Sequence, residues 1–339
     1  MKTSRELVYE TLEFKGPERA PRDLWDMPWS ALNYPDELAR IQRTFPADII
    51  TAPGFQKEYA PTKGDQYAVG RFIDEWGCIF DNKAARIIGE VKEAIVPAVD
   101  EDWADTSRVH IPVESFTIDK GKINKFCRET DKFVKAGACP RPFEQLQFIR
   151  GTEQLYIDLM LQPQGLFDFI EKMHTYYCQL LTSWAETDVD CLMFMDDWGS
   201  QQDLLINPGL WVDIFKPLYK DYIAIAHNHG KKIFMHSDGH ILRILPHLIE
   251  LGLDAVNSQL FCMGIDNLKQ FKGQITFWGE IDRQHLLPSG SVKDIESAVK
   301  SVKEALWSNG GCIAQCEFGP GAKPENVSMV FETWDKLSN

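Results

Sequence analysis

The sequence predicts an α/β fold, a (β/α)8 TIM-type barrel with a β-hairpin inserted in its N-terminal third. Three observations predict it. Short apolar runs bounded by turn residues recur at near-regular spacing through the later two-thirds of the chain. Stretches of helical periodicity separate these runs, and polar, chemically competent residues gather where the runs end. No low-complexity linker interrupts the series, so 1–339 reads as a single domain in which 1–115 form an N-terminal extension and the hairpin insertion. A doubly wound sheet is the alternative fold, but no Gly-x-Gly-x-x-Gly or Walker-type loop occurs to support it.

Taken in order, residues 4–14 have helical spacing behind Thr3 or Ser4 and stop at Gly16-Pro17. The Trp- and Pro-rich stretch 21–34 reads as an irregular segment in which Trp25 and Trp29 either line a pocket or simply pack. Residues 46–51 form a barrel strand that ends at Pro53-Gly54. From 67 to 99 the pattern becomes that of a hairpin with a turn at Asp81-Asn82, expected to border the barrel mouth. A helix at 120–129 and a strand at 133–137 follow, then helices at 142–150, 152–160 and 163–187. The strand 191–195 delivers Asp196-Asp197-Trp198-Gly199 at its end, and a helix at 208–229 leads to the run KKIFMHSDGH. There a strand at 231–235 ends in His236 and Asp238, ahead of helical spacing from 241 to 251. Strands at 254–257, 274–278 and 311–316 have helical stretches after them at 267–271, 292–307 and 324–337.

Composition narrows the function. With 36 basic and 50 acidic residues the formal charge is −14, which argues against a nucleic-acid partner. The first fifteen residues carry charges throughout and have no signal-peptide apolar core, and no apolar run is long enough for a membrane span. The eight cysteines are dispersed rather than densely spaced, which suits free thiols or metal ligands. A cytoplasmic protein is the expectation.

Polar groups mark five strand ends: Asp196 and Asp197, His236 and Asp238, Asn257 and Gln259, Glu280 and Asp282, and Cys312 and Cys316 with Glu317. A barrel brings such ends to one mouth although the sequence separates them widely. His236, Cys316 and a carboxylate from Glu280 or Asp238 make a mixed nitrogen, sulfur and oxygen set suited to a zinc ion with an open position; Glu280 is the assigned third ligand. The plain alternatives are a small core cysteine and a hydrogen-bonded core histidine. Cys312 and Cys316 share a strand face by alternation, and only the later one should reach the mouth. One of Asp196 and Asp197 should point into the mouth and the other into the surrounding layer, where capping a helix is the ordinary role. Asp196, Asp197 and Asp238 are the candidate catalytic carboxylates. Trp25, Trp29, Trp198, Asn257, Gln259 and Phe261 are the candidate substrate contacts.

Several motifs carry a family resemblance. MFMDDWGSQ from Met193, the strand ending in HSDG, GLDAVN, FWGEIDRQHLLPSG and KPENV, together with the earlier ACPRPFEQLQFIRG, resemble the uroporphyrinogen decarboxylase-like superfamily from 133 to 337. That superfamily implies a distorted (β/α)8 barrel and includes cobalamin-dependent methyltransferases. The chain resembles that branch more than the true decarboxylases, whose N-terminal Arg-rich stretch grips a many-carboxylate porphyrinogen. Residues 24–38 here contain no Arg or Lys, and a mouth lined by Asp196, Asp197, Asp238 and Glu280 would repel a polyanion.

The zinc methyltransferases of the superfamily bind metal through His-x-Cys and a later Cys ahead of Pro-x-Glu-Asn. This sequence matches the His as His236 and the later Cys as Cys316, but carries Asp238 at the other cysteine. A harder, more Lewis-acidic centre would follow, better suited to an ether oxygen than to a thiol. The resemblance thus implies a zinc-dependent methyltransferase that takes a methyl group, for instance from an aryl methyl ether, to the Co(I) corrinoid of a separate partner protein, since no cobalamin-binding domain is recognisable in the chain. A homodimer is the assembly considered. A carboxy-lyase acting on a small acid and a non-catalytic ligand-binding barrel are the alternatives.

Overall fold

Eight parallel strands enclose one lumen, and the reason they do so lies in the alternation of their side chains. The computed structural model describes residues 2–338. Its strands are β1 (Arg22–Asp26), β2 (Ile49–Thr51), β3 (Gly70–Ile73), β4 (Ile79–Asn82), β5 (Glu90–Glu93), β6 (Phe133–Lys135), β7 (Cys191–Met195), β8 (Lys232–Ser237), β9 (Ala255–Ser258), β10 (Thr276–Trp278) and β11 (Cys312–Phe318). The barrel order is β1-β11-β10-β9-β8-β7-β6-β2, every pair parallel. Helices fill the connections and form the outer layer, as the α/β barrel reading requires.

One set of alternate residues, Ile49, Phe133, Cys191, Phe234, Ala255, Trp278 and Ile313, packs inside the barrel. Their neighbours Val134, Leu192, Met235, Val256, Phe277, Cys312 and Ala314 belong to the larger core between strands and helices. The long helix Gln164–Ala185 and the helix Val292–Leu306 bury apolar stripes against that outer face, the second behind a capping box in which Ser291 and Asp294 satisfy each other's N–H groups.

β1 lies in the stretch read from sequence as irregular. Its side chains alternate after all: Asp23 and Trp25 face the lumen while Leu24 joins the outer core. The strand pairs β11 from Arg22↔Ala314 to Asp26↔Phe318 and supplies the eighth stave. The seam between β1 and β2 is not a ladder; one backbone bond, Asp48 N to Arg22 O at 2.8 Å, crosses it. The buried Asp48 carboxylate reinforces that seam, accepting from Arg22 N at 2.7 Å, Ser4 Oγ at 2.6 Å and both Arg19 terminal nitrogens at 2.6 and 2.9 Å.

The expected hairpin is a three-stranded antiparallel sheet, β3-β4-β5, with a bulge at Ile79/Phe80. The expected helix at 208–229 is divided by a wider π-type turn at Trp211–Phe215 ahead of Lys216–Asn228. Among the described residues no helix is long and apolar enough to cross a membrane.

Candidate active site

β8 continues two residues beyond the predicted strand, to Ser237, and this sets the site. Phe234 packs in the lumen and Met235 outside it, so His236 and Asp238 point inward above Phe234. The same count on β7 sends Asp196 outward and Asp197 inward. One ligand-type atom from each of Asp197, His236 and Asp238 lies within 4.8 Å of the others, so these three can hold a metal ion.

The imidazole is fixed from behind. Its Nδ1 lies 2.6 Å from Asn257 Oδ1, and the Asn257 amide in turn donates to Trp278 O. A carboxamide oxygen only accepts, so Nδ1 carries the proton and Nε2 is turned to the carboxylates, 3.5 Å from Asp197 Oδ1 and 3.7 Å from Asp238 Oδ1. Asp197 Oδ1 also accepts the Asp238 N–H at 3.0 Å, which ties the ends of β7 and β8 together. Trp25 covers the ring, with centroids 5.2 Å apart.

Arg283 organises the other side. It donates to Asp238 Oδ2, to Glu317 Oε2 at 2.9 Å, and lies 3.5 Å from Glu280 Oε1. Two carboxylate oxygens in this mouth, Asp238 Oδ1 and Glu280 Oε2, are buried and have no hydrogen-bond partner among the described residues. Such oxygens are costly unless something binds them. Burial disfavours a charged His236, yet the bond to Asp197 and the fields of Asp238 and Asp197 outweigh it and lift the imidazole to about 9. Burial lifts Glu280 to about 8, with Arg283 opposing and Asp238 and Glu317 reinforcing the shift. Burial acts upward on Asp197 too, but His236 holds its carboxyl below the ordinary range.

An Nε2 turned to the mouth, two facing carboxylates and an unpartnered Asp238 oxygen fit a divalent cation with oxygen and nitrogen preferences, zinc included. The donor set differs from the expected one. Cys316 lies in the outer core with Cys312, Ala314 and Phe318, while Ile313 on the opposite strand face packs in the lumen and Glu317 reaches Arg283. Both cysteines therefore share a face, as alternation requires, and it is the outer one. Glu280 stands at the mouth, beside Arg283 rather than within the three-residue group.

A model of the uroporphyrinogen decarboxylase (URO-D) family matches residues 93–337, which is most of the chain. The chain belongs to the uroporphyrinogen decarboxylase family. Among solved structures, a methyltransferase from Methanosarcina mazei superposes with a TM-score of 0.72 over 100% of both chains at 13% identity. A B12-independent methionine synthase from Shewanella sp. W3-18-1 reaches a TM-score of 0.47 over 88% of this chain and 84% of that one, at 9% identity. At 13% identity the likeness to the methyltransferase is one of fold. No curated protein matches the sequence.

Within this family member the remaining expected residues separate into two groups. Asn257 is behind His236, and Gln259 and Phe261 line a small cavity of about 110 Å³ with Glu280 and Arg283. Trp25 covers His236, and its indole N–H donates to Asp23 at 3.0 Å. Trp29 packs instead on Tyr34, 5.7 Å between ring centres, and Tyr34 stacks on Phe318. Trp198 is fully buried in the helix layer, stacked 4.1 Å from Phe143.

Asp196 is buried too and has the ordinary role foreseen for one of the pair. It accepts Glu144 N at 2.8 Å, capping the helix Pro142–Arg150, and Tyr219 OH at 2.6 Å. Three lumen residues were not singled out from sequence. Asp23 accepts the indole N–H of both Trp25 and Trp278. Arg283 joins three carboxylates. Lys135 is buried in the barrel with its Nζ 4.4 Å from the Trp278 ring and 5.8 Å from that of Trp25. The signal for Lys135 was its place two residues after Phe133 in a strand whose Phe faces inward.

Proposed function

We propose that this protein is a methyltransferase that activates a methylated small molecule, an aryl methyl ether being the best fit, and passes the methyl group to the reduced corrinoid of a separate protein. The observation that carries the reading is the Asp197, His236 and Asp238 group at the barrel mouth, with Nε2 presented by Asn257 and one Asp238 oxygen left unpartnered. Asp197, His236 and Asp238 would hold the metal. The chemistry a bound zinc supplies is Lewis acidity toward the departing ether oxygen.

The chain's own residues divide the remaining work. Asn257 fixes the ring of His236, and Arg283 holds Asp238 by its second oxygen so that the first faces the site. Glu280, kept largely protonated at neutral pH by burial, has an unpartnered oxygen and can deliver a proton to the departing oxygen. Trp25 over the His236 ring and Phe261 beside Glu280 supply apolar wall around the methyl group that is to be transferred. The test is direct: zinc-loaded protein is incubated with methoxylated aromatics and a reduced corrinoid acceptor, and methylation is followed by the corrinoid's absorption. Transfer that disappears in Asp238→Asn supports the reading; no transfer from any aryl ether, with metal bound, sinks it.

One observation favours a second reading, a carboxy-lyase. An imidazole held charged between two carboxylates can protonate the carbanion left when a small acid loses carbon dioxide. Release of carbon dioxide without metal would identify it.

A further inference from the structure

A second cavity lies on the β2 and β6 side of the barrel mouth. It encloses about 410 Å³ between the loops that follow β2, β3 and β6 and the helix Gln164–Ala185. Its walls are aromatic. Trp76 meets Tyr176 edge to face at 5.3 Å and Tyr177 at 5.8 Å, and Trp184 and Leu180 extend the same surface. Faces and edges at such angles suit a planar ring.

One cation lines the cavity, Arg141. Its side chain is 37% exposed, and among the described residues its guanidinium has one side-chain partner, Glu144 Oε2 at 3.2 Å. A guanidinium has five N–H donors in a planar fork, so most of them remain for a ligand. Glu144 stands between this cavity and the metal group: its carboxylate pairs with Arg141, its N–H binds Asp196, and it feels the charges of Asp197 and His236. Lys135 adds positive potential from within the barrel, since it forms no ion pair among the described residues. Glu58 and Glu75 also line the cavity and would repel a second negative charge on the ligand.

We propose that the cavity takes a planar aromatic acid carrying a single carboxylate, its ring against the wall of Trp76, Tyr176 and Tyr177 and its carboxylate on Arg141. The inference rests on the aryl ether reading and narrows it to methoxylated aromatic acids. Neutral aryl ethers of the same shape would offer no anionic partner to the guanidinium donors that Glu144 leaves free.

The experiment compares binding, which needs neither metal nor acceptor. Affinities of 3-methoxybenzoate, 3-methoxybenzamide and benzoate are measured by calorimetry on the full chain, for the unsubstituted protein, Arg141→Lys and Arg141→Met. The expected result is a preference for the acid over the amide of roughly tenfold to a hundredfold, the worth of a charge-assisted pair. Arg141→Lys should keep part of that preference and Arg141→Met should abolish it, with amide binding retained as proof of an intact cavity. An acid preference unchanged in Arg141→Met, or no binding of any of the three, overturns the proposal. Loss of amide binding in Arg141→Met moves the comparison to Arg141→Lys, where an undiminished preference also overturns it. Benzoate separates this inference from the reaction: Arg141-dependent benzoate binding, with no methyl transfer from 3-methoxybenzoate to the reduced corrinoid, would sink the methyltransferase reading and leave the cavity's ligand standing. Transfer from neutral anisoles as fast as from the acids would do the reverse.

Discussion

Asn257 Oδ1 receives the Nδ1 proton of His236 at 2.6 Å, and Asn257 spends its own amide N–H on the Trp278 carbonyl. The asparagine is thus fixed at both ends and determines which imidazole nitrogen faces the mouth. Asn257→Leu removes that control without touching the metal-binding atoms. Metal affinity should fall roughly tenfold to a hundredfold, as for other partners behind a ligating histidine. Chelator competition measures it, and an unchanged affinity would remove Asn257 from the site.

Metal content distinguishes the three-residue group from the thiol-containing set that the sequence suggested. Protein purified without added metal or chelator should carry zinc, and His236→Ala and Asp238→Asn should each lose it. Cys316→Ala should retain it, because the thiol lies in the outer core. Zinc lost on substituting Cys316, in protein of unchanged melting temperature, would contradict the placement of that strand face.

Asp196 and Asp197 are adjacent and should behave oppositely. Asp196→Ala removes the cap of the helix Pro142–Arg150 and leaves the buried Tyr219 hydroxyl unpartnered. It should cost about 2–4 kcal/mol in urea unfolding with zinc binding intact at temperatures where the protein is folded. Asp197→Ala, at a partly exposed position, should cost little stability and most of the metal affinity. The reverse pattern would exchange their roles.

The seam residue Asp48 predicts an acid limit. Burial disfavours its charge, but Arg19, Ser4 and the Arg22 N–H outweigh burial and hold its carboxyl below the ordinary 3.8. The unfolded chain therefore takes up the proton first as pH falls. The stability this group contributes is complete above about 3.8 and is lost as pH drops through its lower folded value. Asp48→Asn should cost about 3 kcal/mol at pH 7 and flatten the stability curve in the range below pH 4. Parallel urea titrations at pH 7 and pH 3 check it; equal losses at both pH values would show that the charge is unimportant.

The barrel, most of its staves and the mouth residues His236, Asp197 and Asp238 were legible because they rest on local rules: apolar runs, period two, and chemistry at strand ends. β1 was not, because Trp25, Pro28 and Trp29 look like an irregular segment until β11 is available to pair with Arg22–Asp26. Cys316 was misjudged for a different reason. Its residue type suggested a ligand, whereas its face is fixed by Ile313, whose inward packing only the closed barrel reveals. Trp198 carried the same ambiguity, and counting outward from Phe194, which packs in the outer core, resolves it. Arg283 was passed over, since nothing local shows that one arginine reaches carboxylates on three strand ends.

The two faces of β11 have a consequence for how such a site could change. Gln315 and Glu317 share one parity and Cys316 the other. Deleting or inserting a single residue early in that strand would exchange them, presenting sulfur to the lumen where an amide and a carboxylate stand now. A hard centre and a soft one are therefore neighbours in sequence space, separated by a frame of one residue rather than by a new set of side chains.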